Sequence, residues 1–107
     1  MTAAERKSLD SFVSAVRKRF GLALIDVAHL RTWLRKDDPP FRSVEVAIIL
    51  NDTRRDPTAD ESAVADMAYD PLIDTGLCIR FTFVTQAEWD RKRRLGRHRA
   101  SSLLVAA

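Results

Sequence analysis

The stretch that most constrains the fold is VEVAIIL, residues 44–50, in which every residue except Glu45 is apolar. A short apolar run of this kind is typical of a strand that is buried on both faces of a sheet. The runs LALIDVAHL (22–30) and LCIRFTFV (77–84) also predict strands. The chain therefore needs further elements packed on a sheet whose centre is formed by residues 44–50.

Three segments predict helices through the same device, the Thr-x-x-Glu spacing at 2–5, 58–61 and 85–88. In such a capping box the threonine oxygen and the glutamate carboxylate accept hydrogen bonds from backbone N–H groups at a helix start. The run RTWLRK (31–36) predicts a further short helix between the first two strands. The resulting order is helix, strand, short helix, strand, helix, strand, helix. It predicts an α+β (α/β) domain, with a small mixed sheet covered by helices.

Length and composition predict one soluble domain over 1–107, with 46% hydrophobic and 31% charged residues. Cys78 is the single cysteine, which excludes an internal disulfide and a cysteine metal cluster. No apolar stretch approaches the roughly 20 residues of a membrane span. The polar start MTAAERKSLD lacks the apolar core of a signal peptide. We therefore expect a cytoplasmic protein without membrane contact.

The net charge of +3 conceals a strong asymmetry along the chain. Residues 1–36 carry eight Lys/Arg and three Asp/Glu, residues 37–74 carry three and ten, and residues 75–107 carry seven and two. An acidic middle between basic ends favours internal pairing or a partner of opposite charge. It argues against a uniformly basic nucleic-acid-binding protein.

Two longer stretches fit one family pattern: DVAHLRTWLRKDDPPFRSVEVAIIL and ADMAYDPLIDTGLCIRFTFVTQAEW. With the opening helix LDSFVSAVRKRFG, they make the chain resemble the small nucleotidyltransferase-fold proteins of the polymerase-β type, over nearly its whole length. The family pattern is G-S-x10-D-x-D, with Gly-Ser after the first strand and Asp-x-Asp on the second. The resemblance implies a nucleotidyltransferase-like fold. It also implies that HRASSLLVAA begins a final helix that family members continue, so that the chain is shortened at its C-terminus.

The residues of the family motif are replaced in this chain. Arg31-Thr32 stand at the Gly-Ser position, and Ser43-Val44-Glu45 stand at the Asp-x-Asp position. Two carboxylates at i and i+2 of a strand point to one face and can share a magnesium ion, whereas here Glu45 is the single acid. An arginine side chain also fills the place where glycine would let backbone amides approach a triphosphate. The resemblance thus implies a degenerate centre with no assigned catalytic residue, in which Thr32, Ser43 and Glu45 are remnant positions.

The strand that supplies the family's third carboxylate has Arg80 and Thr82 in this chain. Because an unpaired buried carboxylate is costly, we predict an ion pair between Arg80 and Glu45 at the former metal position. Arg31 is the next candidate partner for Glu45. The ligand-binding candidates are Arg31, Thr32 and Arg80.

Several other residues favour plain structural interpretations over functional ones. Arg31, Arg35, Lys36 and Arg42 either bind an anion at the old triphosphate cleft or form a solvated face, and the solvated face is favoured. The tail RKRRLGRHR (91–99) has cations for phosphate contacts but no interleaved aromatic residues. His29, Cys78, Trp33 and Trp89 are expected to pack in or beside the core.

The leading functional hypothesis is a catalytically degenerate nucleotidyltransferase-fold protein that acts as a binding or regulatory module, antitoxin-like. The resemblance implies a helical HEPN-type protein as its partner, and a homo-oligomer stays open. No cofactor is expected. The alternative is a divergent metal-dependent nucleotidyltransferase, for which Glu45 would hold Mg²⁺ with a nucleoside triphosphate. A second alternative is a basic-tailed nucleic-acid-binding protein, although nucleic acid is the less favoured partner.

Overall fold

The computed structural model describes residues 1–36, 40–51, 55–94 and 100–104. Its elements are helices and strands that together form the α+β domain expected from the sequence. They are α1 (Ala3–Phe20), a 3₁₀ turn (Gly21–Ala23), β1 (Leu24–Arg35), β2 (Phe41–Leu50), α2 (Pro57–Thr75), β3 (Cys78–Thr85), α3 (Gln86–Arg94) and β4 (Ser101–Ser102).

The strands form a four-stranded mixed sheet in the order β3-β2-β1-β4. β1 is antiparallel to β2 and to β4, whereas β3 runs parallel to β2, with α2 as the crossover. β2 therefore has a hydrogen-bonded neighbour on each side, and side chains cover both of its faces along residues 46–50. This position explains the nearly continuous apolar run that the sequence analysis starts from.

The short helix predicted over 31–36 does not form, because β1 continues to Arg35 as part of a long hairpin with β2. The register places Arg31 opposite Glu45 and Arg35 opposite Phe41. Residues 31–35 alternate between the two sheet faces, and the long partner strand supplies backbone hydrogen bonds that an isolated helical turn would lack. The Asp37-Asp38-Pro39 part of the connecting turn lies outside the described residues.

Two apolar layers lie on opposite faces of the sheet. The larger one packs α1 and α2 on the face of β2 that carries Val44, Val46 and Ile48. The smaller one packs Trp89 of α3 on the other face, against residues that are mostly small or branched: Ala28, Leu30, Ala47, Ile49 and Val84. We call the first side the helical face. Only the half of the second side near α3 is covered by this smaller layer.

Two of the three predicted capping boxes need correction. At α1 the box is present: the Thr2 N–H donates to Glu5 (2.8 Å) and the Glu5 N–H donates to the Thr2 hydroxyl (3.1 Å). The hydrogen bond from the Thr2 backbone, helped by Arg42, lowers the pKa of Glu5. α2 instead begins one residue before Thr58, because the Asp56 carboxylate caps the helix and Pro57 occupies its first position.

At α3 only one of the two capping-box hydrogen bonds forms: the Glu88 N–H donates to the Thr85 hydroxyl (3.2 Å). The Glu88 carboxylate accepts from the Thr85 hydroxyl (3.0 Å) and not from the Thr85 backbone N–H. The final helix expected from HRASSLLVAA is absent over residues 100–104. There Ser101 and Ser102 pair with β1 and a turn follows. Hydrogen bonds to the free edge of β1 thus take the place of a helical start. None of the described helices combines the length and the apolar character needed to cross a membrane.

Candidate functional site

The predicted site residues fall on two different faces of the sheet. Residues directly opposite each other in an antiparallel pair point to the same face. Glu45 is opposite Arg31, whereas Thr32 is opposite Val44, a residue of the helical core. Arg31 and Glu45 therefore lie on the side away from α1 and α2, and Thr32 lies on the helical face.

We use the name open sheet face for the half of the second side that α3 does not cover. It comprises Arg31, Trp33 and Arg35 on β1, Phe41, Ser43 and Glu45 on β2, and Cys78, Arg80 and Thr82 on β3. Arg31, Arg35, Arg80 and Thr82 of this set are exposed. Four of the five predicted site residues lie here: Arg31, Ser43, Glu45 and Arg80.

Thr32 is separated from the other four and has a local role. Its hydroxyl forms a hydrogen bond of 2.6 Å with Nε2 of His29. His29 therefore has a structural role in β1, as the sequence predicts. A ligand held between Thr32 and Glu45 would have to pass through the sheet, so these two residues form no common site.

Glu45 forms an ion pair with Arg31, with a distance of 3.6 Å between Arg31 Nε and a carboxylate oxygen. Arg80 is opposite Glu45 in the β2–β3 register, yet no ion pair between these two described residues is present. The prediction of an Arg80–Glu45 pair is therefore wrong, and the second candidate, Arg31, is the partner. The hairpin register brings Arg31 directly across from Glu45.

Ser43 is fully buried, although it lies on the open sheet face. It sits between Trp33 on β1 and Cys78 on β3, so neighbouring side chains close over it. Its hydroxyl is the one buried side-chain polar group, among the described residues, that has no hydrogen-bond partner. A hydroxyl that is covered in this way is not presented to a metal ion in solution.

Replacement of Ser43 with alanine is expected to raise the free energy of unfolding by about 1 kcal/mol, because a buried unpaired hydroxyl costs about 1–3 kcal/mol. Urea unfolding measures the change. The control is Thr82→Ala, an exposed position on the same face, which should change stability by less than about 0.5 kcal/mol. A clear loss of stability in Ser43→Ala would show that the hydroxyl has a partner.

Two arginines of the open sheet face stack on aromatic rings. The Arg31 guanidinium lies 4.5 Å from the Trp33 ring centre, and that of Arg35 lies 5.2 Å from the Phe41 ring centre. Trp33 and Phe41 are partly exposed. The sequence analysis assigns Trp33 to packing. The alternation of Arg31, Trp33 and Arg35 is the signal that could have placed all three on one strand face.

The cluster of four cations proposed for an anion site does not form as a unit. Arg42 points to the helical face, where its Nε donates to the Glu5 carboxylate (3.1 Å). Arg31 and Arg35 are on the opposite face, and Lys36 follows the end of β1. Of the basic tail, Arg91–Arg94 belong to α3 and are exposed, while residues 95–99 lie outside the described part of the chain.

A second cluster of charged residues lies at the carboxyl ends of β2 and β3, beside a cavity of about 200 Å³. Asp60 accepts hydrogen bonds from Arg55 (2.8 Å) and Arg19 (3.3 Å) and is only 4% exposed. The hydrogen bond from Arg55 lowers the pKa of Asp60. Sequence reasoning places Asp60 inside a capping box and misses this role, because Arg19 is 41 residues away. Asp60 thus links Arg19 of α1 to α2, and the cluster, which keeps one net positive charge, acts as a brace between α1 and α2.

The residues that the resemblance places at a metal position do not fit magnesium. Glu45 is engaged by Arg31, Ser43 is covered, and Arg80 brings positive charge to the strand that would supply the third carboxylate. No group of three His, Cys, Asp or Glu side chains in the described ranges is arranged to hold a metal ion.

Comparison of the chain with protein-family models, with curated proteins and with solved structures finds no match.

Proposed function

We propose that this chain is a catalytically degenerate nucleotidyltransferase-fold protein that acts as a binding or regulatory module, in an antitoxin-like role. The observation that carries the proposal is the Arg31–Glu45 ion pair on the open sheet face. A metal-dependent transferase needs carboxylates that are free to bind the ion and hold a triphosphate. In this chain the remaining carboxylate is neutralised by an arginine at the position of the motif's glycine.

A surface on α2 supports a protein as the partner. Tyr69, Leu72 and Ile73 are 59%, 43% and 64% exposed, and together we call them the α2 stripe. Exposed acids on the same helix, Asp66, Asp70 and Asp74, accompany the stripe. Apolar side chains with acidic neighbours complement an amphipathic helix that has basic flanks. We propose that a helical HEPN-type protein, the partner implied by the resemblance, docks here.

Calorimetric titration of the protein with ATP tests whether the site is degenerate. We expect no heat of binding in the presence of Mg²⁺ beyond that seen with ATP alone, because no carboxylate pair is available to bridge the ion and the phosphates. The matched variant Glu45→Gln should behave like the wild type. Magnesium-dependent ATP binding that disappears in Glu45→Gln would instead establish the alternative, a divergent nucleotidyltransferase.

Co-expression with the product of the adjacent gene tests the partner. The proposal expects a helical HEPN-type neighbour that co-purifies with this chain and is released by Ile73→Asp, which puts a charge into the α2 stripe. Ser62→Asp adds the same charge at an exposed position of α2 that is not part of the stripe, and should leave the complex intact. An adjacent gene of another kind, or a complex that both variants weaken equally, would reject the antitoxin-like role.

A further inference from the structure

We propose that the open sheet face, extended by Arg93 of α3, is a binding site for single-stranded nucleic acid. The site is separate from the α2 stripe, which lies on the opposite side of the sheet. It does not depend on the nucleotidyltransferase resemblance, because every residue in the argument is placed by the strand register and by the contacts of α3.

The first support is the pair of stacked side chains on the hairpin. The Arg31 guanidinium lies 4.5 Å from the centre of the Trp33 ring. The Arg35 guanidinium lies 5.2 Å from the centre of the Phe41 ring. Aromatic rings and guanidinium planes are the two kinds of surface on which unpaired bases stack. Strand alternation aims both pairs outward from the same sheet face, so successive bases of one strand can reach them.

The second support is the charge on this side of the molecule. Arg80 is exposed on β3, beside the hairpin. At the other end of the face, Arg93 lines a cavity of about 310 Å³ together with Ala28 and Trp89. Arg80 and Arg93 thus add cations that can contact phosphates to the side on which Arg31 and Arg35 stack on aromatic rings.

Two of the described acids on this side of the sheet have ion-pair or hydrogen-bond partners. Glu45 is paired with Arg31. Asp26 accepts hydrogen bonds from the Val27 N–H (2.8 Å) and from the Ser102 hydroxyl (2.6 Å). Arg31 offsets the charge of Glu45. The hydrogen bonds to Asp26 come from neutral groups and do not offset its charge, and Asp26 lines the same cavity as Arg93. The four arginines of this side outnumber these two acids, so their summed charge is positive.

The geometry favours a single strand over a duplex and over an acidic protein. Stacking on Trp33 and Phe41 requires base faces that are free, whereas the base faces of a duplex are stacked on one another. An acidic peptide would use the cations but would gain little from exposed aromatic planes. The sequence analysis argues against nucleic acid because the basic tail lacks aromatic residues; the fold supplies them from β1 and β2.

Fluorescence anisotropy of labelled oligonucleotides tests the site, with single strands of about 12 nucleotides as the probe. Oligo-U and oligo-dT separate RNA from DNA, and a duplex of equal length and polyglutamate are the comparison ligands. We expect the single strands to bind more tightly than both comparison ligands. Two phosphate contacts, by Arg80 and Arg93, predict that log K falls with log salt concentration with a slope of about −1.4.

Variants locate the binding. Trp33→Ala and Arg80→Ala are each expected to weaken single-strand binding about tenfold, and Trp33→Phe should restore most of the affinity. Arg17→Ala, an exposed arginine on α1, makes the same charge change on the helical side and should leave binding unchanged. Circular dichroism of each variant confirms that it is folded, and Arg80→Ala tests the site even where Trp33→Ala loses stability.

Three results would overturn the proposal. The first is no binding to single strands at low salt, and the second is equal loss of affinity in Arg80→Ala and Arg17→Ala. The third is binding of polyglutamate or duplex as tight as that of the single strands, which would identify the face as a general anion surface or a docking site for an acidic protein.

Discussion

Replacement of Asp60 with asparagine is expected to lower the free energy of unfolding by about 2–3 kcal/mol, because hydrogen bonds to charged groups contribute about 1.5–3 kcal/mol each and the amide keeps one acceptor oxygen. The carboxylate joins Arg55, at the start of α2, to Arg19, near the end of α1. Arg55 also lies over the Phe20 ring at 4.7 Å, so its position depends on the same acid. Urea unfolding of the two proteins measures the loss.

The effect of Asp60→Asn should depend on pH in a direction set by the pKa of Asp60. Arg55 lowers the pKa of this carboxyl from its ordinary value of 3.8 in the folded state. Its contribution to stability is therefore complete above the unfolded pKa and is lost as the pH falls through the folded pKa. The difference between wild type and Asp60→Asn should be constant near neutral pH and should shrink below about pH 4.

The control for this experiment is Asp66→Asn, which removes the same charge from an exposed position of α2. It should change the free energy of unfolding by less than about 0.5 kcal/mol. The difference between wild type and Asp66→Asn should not become smaller at low pH. Equal effects of the two substitutions would mean that the brace between α1 and α2 contributes nothing beyond general charge.

Replacement of Phe12 with alanine is expected to cost about 3–5 kcal/mol, the range for removing a fully buried aromatic side chain. Phe12 is 1% exposed and belongs to the core between α1 and the sheet. Since small domains are stable by about 5–15 kcal/mol, this single change removes a large part of the total. Thermal unfolding and urea unfolding should both show this loss of stability in Phe12→Ala.

Ser14→Ala is the matched control, because Ser14 is exposed on the same helix two residues further on. Alanine is the better helix former, so stability should stay level or rise by a few tenths of a kcal/mol. A loss in Phe12→Ala of less than about 1 kcal/mol would contradict the packing of α1 against the helical face of the sheet.

The α2 stripe belongs to the helical side, and the open sheet face is formed by the other side of the same strands. The two surfaces meet at the edge of β3, where Leu72 and Cys78 line the same pocket. Ile73→Asp and Trp33→Ala change residues that do not line this pocket, so each is expected to leave binding at the other surface unchanged. This separates a failure of one proposal from a failure of the other.

The sequence by itself determined the class of fold and most of its elements. The apolar run at 44–50 predicts the central strand β2, and the run at 77–84 predicts the strand β3. These features are visible because burial imposes a period on neighbouring residues. The Thr-x-x-Glu spacing likewise identifies the start of α1, because both hydrogen bonds of its capping box join Thr2 and Glu5.

Only the tertiary structure decided what residues 31–35 do and which residues meet. A run that favours a short helix by itself becomes strand because β2 is long enough to pair with it. That pairing brings Arg31 across from Glu45 and turns Thr32 to the other face. It also brings Trp33 and Phe41 together with the arginines. Asp60 likewise has one partner on α1, Arg19, and one two residues before α2, Arg55. The physical reason is that register and long-range packing depend on the free energy of the whole sheet, which no local stretch of sequence contains.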